Sequence, residues 1–278
     1  MKKTPLVSVI VTSYKRPDFL LKTVRSILSQ TYRNLEVLVV DDGSHDNTED
    51  VVKSLKDERI QFFAISHSGR PAVPRNFGLQ QTRGDLIAFC DDDDLWEPSK
   101  IAEQVYVFRN NPTVKLCYTD CSLVNEDDQL LPSMDKKKKK SKTDFQSQLR
   151  KNSVTFSTAM IHKDIICNGL TFNEKMSLKA TEDYLFFTQI IHDFPIHYLA
   201  EKLIKYRIHQ NGISYSQNSV KKLILYYFRV VLTHHCFLKL AKYSYKDFLF
   251  FTGYYFIDVL KQIIFICYNK RKDWKKNV

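Results

Sequence analysis

Glycine is scarce in this 278-residue chain, with seven in all, at positions 43, 69, 78, 84, 169, 212 and 253. No two are spaced for GxGxxG and no GxxxxGKS/T occurs, so the phosphate-cradling loops of dinucleotide dehydrogenases and P-loop NTPases are missing. The six cysteines (Cys90, Cys117, Cys121, Cys167, Cys236, Cys267) form no CxxC pair. That excludes a zinc-finger spacing and a secreted disulfide framework, and suits reduced thiols in a cytosolic protein. Long apolar runs are lacking too. Residues 6–11 are too few for a signal peptide and include Ser8, so they read as a buried strand. Residues 248–268 are aromatic and apolar, but Asp258 and Lys261 near their centre would be costly in lipid, which argues against a transmembrane helix.

Positive charge is also lacking where a nucleic-acid-binding body would need it. The formal charge is +11, and residues 220–278 hold twelve Lys/Arg and three acids, or +9, leaving +2 for residues 1–219. A near-neutral body makes nucleic acid an unsuitable partner.

Short β-branched runs at 7–11 and 37–40 read as strands covered on both faces. Between them Leu20, Leu21, Val24, Ile27 and Leu28 recur at helical spacing after Pro17. A second helix follows with Val51, Val52 and Leu55, then a strand at 60–65, a helix near 76–82 and a strand at 86–90. Strands alternating with helices predict an α/β fold with a mostly parallel sheet and helices on both faces. Further on, 155–161 reads as a strand and 183–191 as a helix, while the polar stretch 125–150, with five consecutive lysines at 136–140, reads as a surface loop.

Ligands of such sheets bind beyond the carboxyl ends of the strands. Two strand ends are acidic here, 37–40 running into Asp41-Asp42-Gly-Ser44 and 86–90 into Asp91-Asp-Asp-Asp94, and both should face one crevice. Four carboxylates within about 12 Å repel one another unless a cation is present, and hard oxygen ligands suit Mg²⁺ or Mn²⁺. The alternative is a solvated acidic turn before a helix that welcomes acids at its start. A divalent ion held by one or two carboxylates keeps positions open for a phosphate-bearing ligand, which points to a nucleoside diphosphate.

Val7-Ser-Val-Ile-Val-Thr-Ser-Tyr-Lys-Arg-Pro17, Ser29-Gln-Thr-Tyr32, Glu36-Val-Leu-Val-Val-Asp-Asp-Gly-Ser44, Arg75-Asn-Phe-Gly78 and Gly84-Asp-Leu-Ile-Ala-Phe-Cys-Asp-Asp-Asp-Asp94 together resemble a family 2 glycosyltransferase with the GT-A fold. The likeness is close over residues 6 to 110 and looser to 215. It implies a GT-A domain at 1–215 that binds a nucleotide-activated sugar, usually a UDP-sugar, with the base near Thr12 and Tyr14. It also implies that Asp42 hydrogen-bonds the uracil and that Arg75 lies near the nucleotide or diphosphate, against the plainer reading of a surface arginine. The D-x-D-D signature maps onto Asp91, Asp93 and Asp94: Asp93 would ligate the metal, while Asp91 would contact the ribose or assist the ion. Asp92 stands where a small polar residue is commoner, so it joins the candidate nucleotide contacts and leaves the metal-binding carboxylate unassigned.

Thr181-Glu-Asp183 resembles the family's ED motif, which implies that Asp183 is the general base; a capped helix start explains the same residues without catalysis. Tyr206-Arg-Ile-His-Gln-Asn-Gly-Ile-Ser214 resembles the stretch that closes over donor phosphates, implying that Arg207 neutralises charge and that His209 binds the ion or diphosphate. A loop histidine is otherwise simply solvated.

Residues 216–278 form a separate basic aromatic region, with fifteen of the 36 aromatics beyond residue 219. Lys239, Lys242 and Lys246 before, and Lys270 to Lys276 after, frame an apolar stretch, which fits helices on an anionic membrane surface. The alternative is a subdomain packed on the core or a homo-oligomer contact. The expected activity is inverting transfer to a saccharide acceptor, lipid-linked and part of bacterial surface polysaccharide synthesis, by a cytoplasmic protein peripheral to the inner face of the membrane. The rivals are a catalytically inactive adaptor on the same fold and a sugar-phosphate nucleotidyltransferase, which should carry a glycine-rich N-terminal loop absent here.

Overall fold

The computed structural model describes residues 4–132, 144–150, 152–210, 212 and 220–239, and beyond these the helical positions 246, 249, 252, 253, 256, 257, 259 and 260. The lysine run at 136–140, the expected boundary at 215/216, Ser214, Lys242, Asp258, Lys261 and the basic residues 270–276 lie outside the described residues.

The first half alternates β1 (Val7–Ser13), α1 (Pro17–Leu28), β2 (Leu35–Asp41), α2 (Thr48–Lys53), β3 (Ile60–Ala64), α3 (Ala72–Gln81) and β4 (Leu86–Asp91). The second half contains β5 (Leu95–Trp96), α4 (Lys100–Asn110), β6 (Leu116–Val124), α5 (Phe145–Arg150), β7 (Met160–His162), α6 (Asp164–Cys167), α7 (Glu182–Asp193), β8 (Ile196–Arg207) and α8 (Val220–Lys239). The eight strands form one sheet in the order β3-β2-β1-β4-β7-β6-β8-β5. β3, β2, β1 and β4 are parallel, β7 joins antiparallel to β4 and β6, β6 and β8 are parallel, and β5 closes the far edge antiparallel to β8.

Residue alternation sorts the core into two layers. Val7, Val9 and Val11 meet Leu20, Val24 and Ile27 of α1 and Ile101, Val105 and Phe108 of α4 on one face. Ile10, Leu38 and Phe89 meet Ala72 and Leu79 of α3 and Phe186, Phe187 and Ile190 of α7 on the other. Because both faces are covered, the central strands carry no polar alternation, which is why they stood out as apolar runs, that of residues 7–11 in β1 interrupted only by the buried Ser8. α3 lies so close to β1 that a Cβ on Gly78 would fall 2.6 Å from Ile10 Cγ2.

The strand expected over 155–161 is corrected. Phe156–Thr158 is a 3-10 turn and only Met160–His162 pairs with its neighbours. Side chains divert the backbone there: Ser157 Oγ donates to Asp94 (2.5 Å) and accepts the Asp91 N–H (3.0 Å), while Thr158 Oγ1 donates to the Thr155 carbonyl (2.6 Å). Within the stretch read as a surface loop, residues 145–150 form α5.

α8 packs its inner face on the domain. Val230, Thr233 and His234 are buried, Thr233 Oγ1 donates to Thr181 Oγ1 (3.1 Å), and the Tyr184 hydroxyl lies 3.0 Å from His234 Nε2. Leu149, Leu178 and Leu185 complete this small cluster, with Cys236 against it. Burial pushes the His234 imidazole down to about 4, so the folded protein keeps it neutral. Between that value and the ordinary 6.5, unfolding takes up a proton at His234, so this residue's own contribution to stability falls as pH drops through the window, by about 3 kcal/mol at most, against the opposite trend of the buried acids Asp92 and Asp183, which burial raises to about 7. Urea midpoints of the wild type and of His234→Gln, measured from pH 7 to 4, should isolate it: the wild type should lose stability relative to the variant as pH falls.

Candidate active site

Strand register brings the two acidic ends together. Thr12 of β1 stands opposite Val40 of β2 and Asp91 of β4, and Ser13 stands opposite Asp41. The carboxyl edge of the parallel half therefore opens into a cleft of about 340 Å³, a size typical of small-molecule sites. Thr12, Tyr14, Asp42, Arg75, Asp91, Asp92, Asp93, Arg207 and His209 all line it. Asp183 is the one sequence-predicted residue outside this lining.

The four aspartates have distinct surroundings. Asp92 turns toward the chain's own first loop, accepting from Ser13 Oγ (2.8 Å), the Tyr14 N–H (3.3 Å) and Arg16 (2.9 Å). Burial, with Asp93 beside it, raises its carboxyl to about 7. Asp94 is fully buried, held by Ser157 and by the Arg207 N–H (3.0 Å), and burial drives its pKa well above the carboxylate range. Asp93 meets Arg16 (2.7 Å) and His209 Nε2 (2.8 Å). Asp91, at the end of β4, accepts from Arg75 (3.0 Å). Thr23 Oγ1 of α1 sits 2.8 Å from the carbonyl oxygens of both Asp92 and Asp94 and fixes the turn from below.

One oxygen each of Asp91, Asp93 and Asp94 falls within 4.8 Å of the others. Both oxygens of Asp94 are engaged, by Ser157 and the Arg207 N–H, whereas Arg75 takes only Oδ1 of Asp91 and Arg16 and His209 share Oδ2 of Asp93, so Asp91 and Asp93 are the carboxylates that could hold an ion. Hard oxygens in that arrangement fit Mg²⁺ or Mn²⁺.

On the opposite wall Asp42 organises the loop after β3. Its Oδ1 accepts from the Ser68 N–H (2.9 Å) and hydroxyl (2.8 Å), and its Oδ2 accepts from the Gly69 N–H (3.2 Å) and lies 3.0 Å from His67 Nδ1. Gly43, at φ +74°, makes this approach: a Cβ there would sit 2.7 Å from the His67 nitrogen. The Tyr14 and His67 rings stack with centroids 4.1 Å apart and planes 16° off parallel.

Arg75 joins the acidic turn to α7. One guanidinium nitrogen donates to Asp91 and another to Glu182 (2.7 Å), while its carbon lies 3.6 Å from the Phe156 ring centroid. The residue after Glu182 is Asp183, whose carboxylate accepts the Tyr184 N–H (2.8 Å). Burial, then the adjacent Glu182 charge, raises Asp183 to about 7, with Arg75 opposing. Arg207, at the end of β8, donates to the Asp93 carbonyl (2.8 Å) and pairs with Asp128, tying the 125–128 turn to the acidic one.

Sequence reasoning did not single out Arg16, His67 or Glu182. Arg16 lies inside the quoted first motif and follows the same strand edge, so a search for the counter-charge of four aspartates would have found it. Glu182 was visible as Asp183's neighbour. His67 carries no local signal, because only the tertiary fold sets it against Tyr14.

A mixed α/β sheet with an acidic cleft at its carboxyl edge is the architecture of GT-A transferases. Residues 8–168 match the sequence model of Glycosyl transferase family 2, and the chain belongs to that family. It is 28% identical over 258 residues to the putative teichuronic acid biosynthesis glycosyltransferase TuaG of Bacillus subtilis, covering 87% of this chain and 97% of TuaG. It is 41% identical over 101 residues to the Escherichia coli UDP-Glc:alpha-D-GlcNAc-diphosphoundecaprenol beta-1,3-glucosyltransferase WfaP, a match spanning 36% of this chain but only 40% of WfaP. Among solved structures, TarS 1–349 of S. aureus with UDP-GlcNAc superposes with TM-score 0.65 at 19% identity, covering 82% of this chain and 66% of TarS 1–349. The mannosyltransferase PcManGT of Pyrobaculum calidifontis, with GDP-Man and Mn²⁺, gives 0.59 at 17% identity over 94% of this chain and 88% of PcManGT. At these identities both establish the fold.

Removing Arg75 would leave Asp91 and Glu182 uncompensated at a site where Arg75 itself is 6% exposed. Arg75→Met should cost about 3–5 kcal/mol in urea unfolding, and Arg75→Lys, which keeps the charge but not the two-pronged reach, should fall between the two.

Proposed function

We propose that this protein is an inverting glycosyltransferase that moves a sugar from a UDP-sugar donor to a hydroxyl of a lipid-linked saccharide in surface polysaccharide synthesis. The observation carrying this reading is the Arg75 bridge, which connects Asp91 of the donor-side turn to Glu182, next to Asp183. Thr12, Tyr14 and Asp42 receive the nucleoside, with His67 extending the aromatic surface. Asp92 supports the turn that presents Tyr14, Arg75 holds Asp91 toward the donor, and Arg207 and His209 face the diphosphate. Asp91 and Asp93, with His209 beside them, would hold Mn²⁺ or Mg²⁺, which when bound supplies positive charge against the departing diphosphate.

The acceptor oxygen attacks the anomeric carbon from the side opposite the diphosphate and gives its proton to Asp183. The bond from that carbon to the phosphate oxygen breaks, and its electron pair leaves with the nucleoside diphosphate, so an α-linked donor gives a β-glycoside. A carboxylate near pH 7 in pKa is well matched to this proton transfer at neutral pH. Most of the acceleration comes from positioning and from fixed charges at the leaving group.

The names of the relatives support the finer assignments. WfaP takes UDP-Glc and a diphosphoundecaprenol-linked acceptor, and TuaG belongs to teichuronic acid synthesis. TarS binds UDP-GlcNAc, whereas PcManGT binds GDP-Man, which makes GDP the competing nucleotide. Among the described residues no helix is long and apolar enough to cross a membrane. The basic charge of residues 220–278 supports the reading that the lipid-linked acceptor is met at an anionic membrane surface, on the cytoplasmic side.

Thermal unfolding with UDP, GDP and TDP, each with and without Mn²⁺, tests the donor site. Nucleotide at a hundred times its dissociation constant should add about 2.7 kcal/mol. UDP should give this shift only with Mn²⁺, and Asp93→Asn should lose it; no shift with any nucleotide would sink the reading. Asp183→Asn should lower turnover about 10²–10⁴-fold while keeping the UDP shift. In the wild type, turnover should rise with pH through about 7, because only the ionised Asp183 accepts the proton. A flat profile between pH 6 and 8 would remove Asp183 from the role of base.

A further inference from the structure

α8 is packed on one side and bears exposed apolar residues on the other. Its inner face, through Val230, Thr233 and His234, is packed against Thr181 and Tyr184. On the opposite face Ile224 is 41% exposed, Leu225 49%, Phe228 57% and Leu232 41%, all within one stripe at helical spacing. A helix that only closed the domain would present polar residues there. The stripe does not end with α8: Leu249, Phe256, Ile257 and Leu260 at the later helical positions are 40–54% exposed, and the Phe256 ring lies 5.7 Å from Tyr227 of α8. Outside this region the exposed large apolar residues are Tyr14, Tyr106, Leu130 and Met176, scattered singly over the described surface.

Charge identifies the occupant. The twenty residues of α8 include Lys221, Lys222, Arg229 and Lys239 and not one acid. A second copy of the same chain would set this basic helix against another basic helix, whereas an anionic lipid surface attracts it and accepts the apolar stripe below the headgroups. At twenty residues with charges near both ends and in the middle, α8 suits lying on a bilayer rather than crossing it.

We infer that the outer face of α8, with Leu249, Phe256, Ile257 and Leu260, docks the protein on an anionic membrane, and that α8 thereby holds the start of α7, which carries Asp183, near the lipid surface. The inner face contacts Thr181 and Tyr184, which bracket Glu182 and Asp183 in sequence, so the helix that rests on the lipid is joined to the helix start that carries the proposed base. The inference rests on the lipid-linked acceptor reading for its purpose, but its physical content is membrane binding alone.

Flotation of the full-length protein with phosphatidylglycerol-containing vesicles and with pure phosphatidylcholine vesicles tests it. Binding should be at least tenfold stronger to the anionic vesicles and should weaken as NaCl rises from 0.1 to 0.5 M. Phe228→Glu with Leu232→Glu should reduce it at least tenfold while leaving the thermal midpoint and the UDP–Mn²⁺ shift in place, since both side chains point to solvent. Substituting Tyr106, an exposed aromatic elsewhere, by Glu should leave binding unchanged. Vesicle binding that survives the double substitution, or no binding by the wild type, overturns the inference. So does a dimer in light scattering that the double substitution converts to monomer in a protein that ignores vesicles, which would assign the face to a second copy. UDP binding without vesicle binding defeats this inference alone, and vesicle binding without nucleotide binding defeats the donor reading alone.

Discussion

Four consecutive carboxylates at the end of a buried strand cannot coexist unless something answers their charge, and residues from both halves of this protein are arranged as that answer. Arg16 reaches Asp92 and Asp93 from the loop after β1. Arg75 reaches Asp91 from α3, Ser157 and the Arg207 N–H satisfy Asp94, and His209 meets Asp93. The partners come from four places in the fold, so the turn acts as a hub that pins the start of α1, α3, the 3-10 turn before β7 and the end of β8 to one point. The arrangement leaves the chain's hard oxygen donors concentrated at the mouth of the cleft, where a cation lowers the remaining repulsion.

The same electrostatics extend to α7. Arg75 serves two acids at once, and burial first and the Glu182 charge second hold Asp183 at about 7, against the pull of Arg75, rather than fully ionised like a surface aspartate. Neither Glu182 Oε2 nor Arg75 Nε has a hydrogen-bond partner among the described residues. Such buried polar atoms are costly, and their presence beside the proposed base is a typical compromise of stability for function.

The first half of the fold was legible because strands buried on both faces appear as near-continuous apolar runs, and because residues placed at their carboxyl ends must share an edge. The register of Thr12 with Val40 and Asp91 bears out that placement. The second half was not legible in the same way. β6 mixes Cys, Thr, Asp and Ser with apolar residues and pairs with strands far away in sequence, and 156–158 was taken for strand because Ser157's bonds to the acidic turn are invisible in a hydropathy pattern. The candidate site was read mainly through a family likeness: nine of its residues converge on one cleft, while Arg16, His67 and Glu182 became apparent only with the fold.

The order in which the acidic turn acquires its partners has a consequence for how the protein is made. Asp94 meets Ser157 63 residues downstream and the Arg207 N–H 113 residues downstream, and Asp93 meets His209 116 residues downstream. During synthesis the parallel half of the sheet can emerge and pair while its acidic end has only Arg16 and Arg75 to answer it, and the last hydrogen bond to Asp94 forms only when the end of β8 has left the ribosome. A fragment stopping at residue 168, where the family match ends, would contain all four aspartates but would lack the strand that closes them. The cleft is therefore a late product of translation, finished from its C-terminal side.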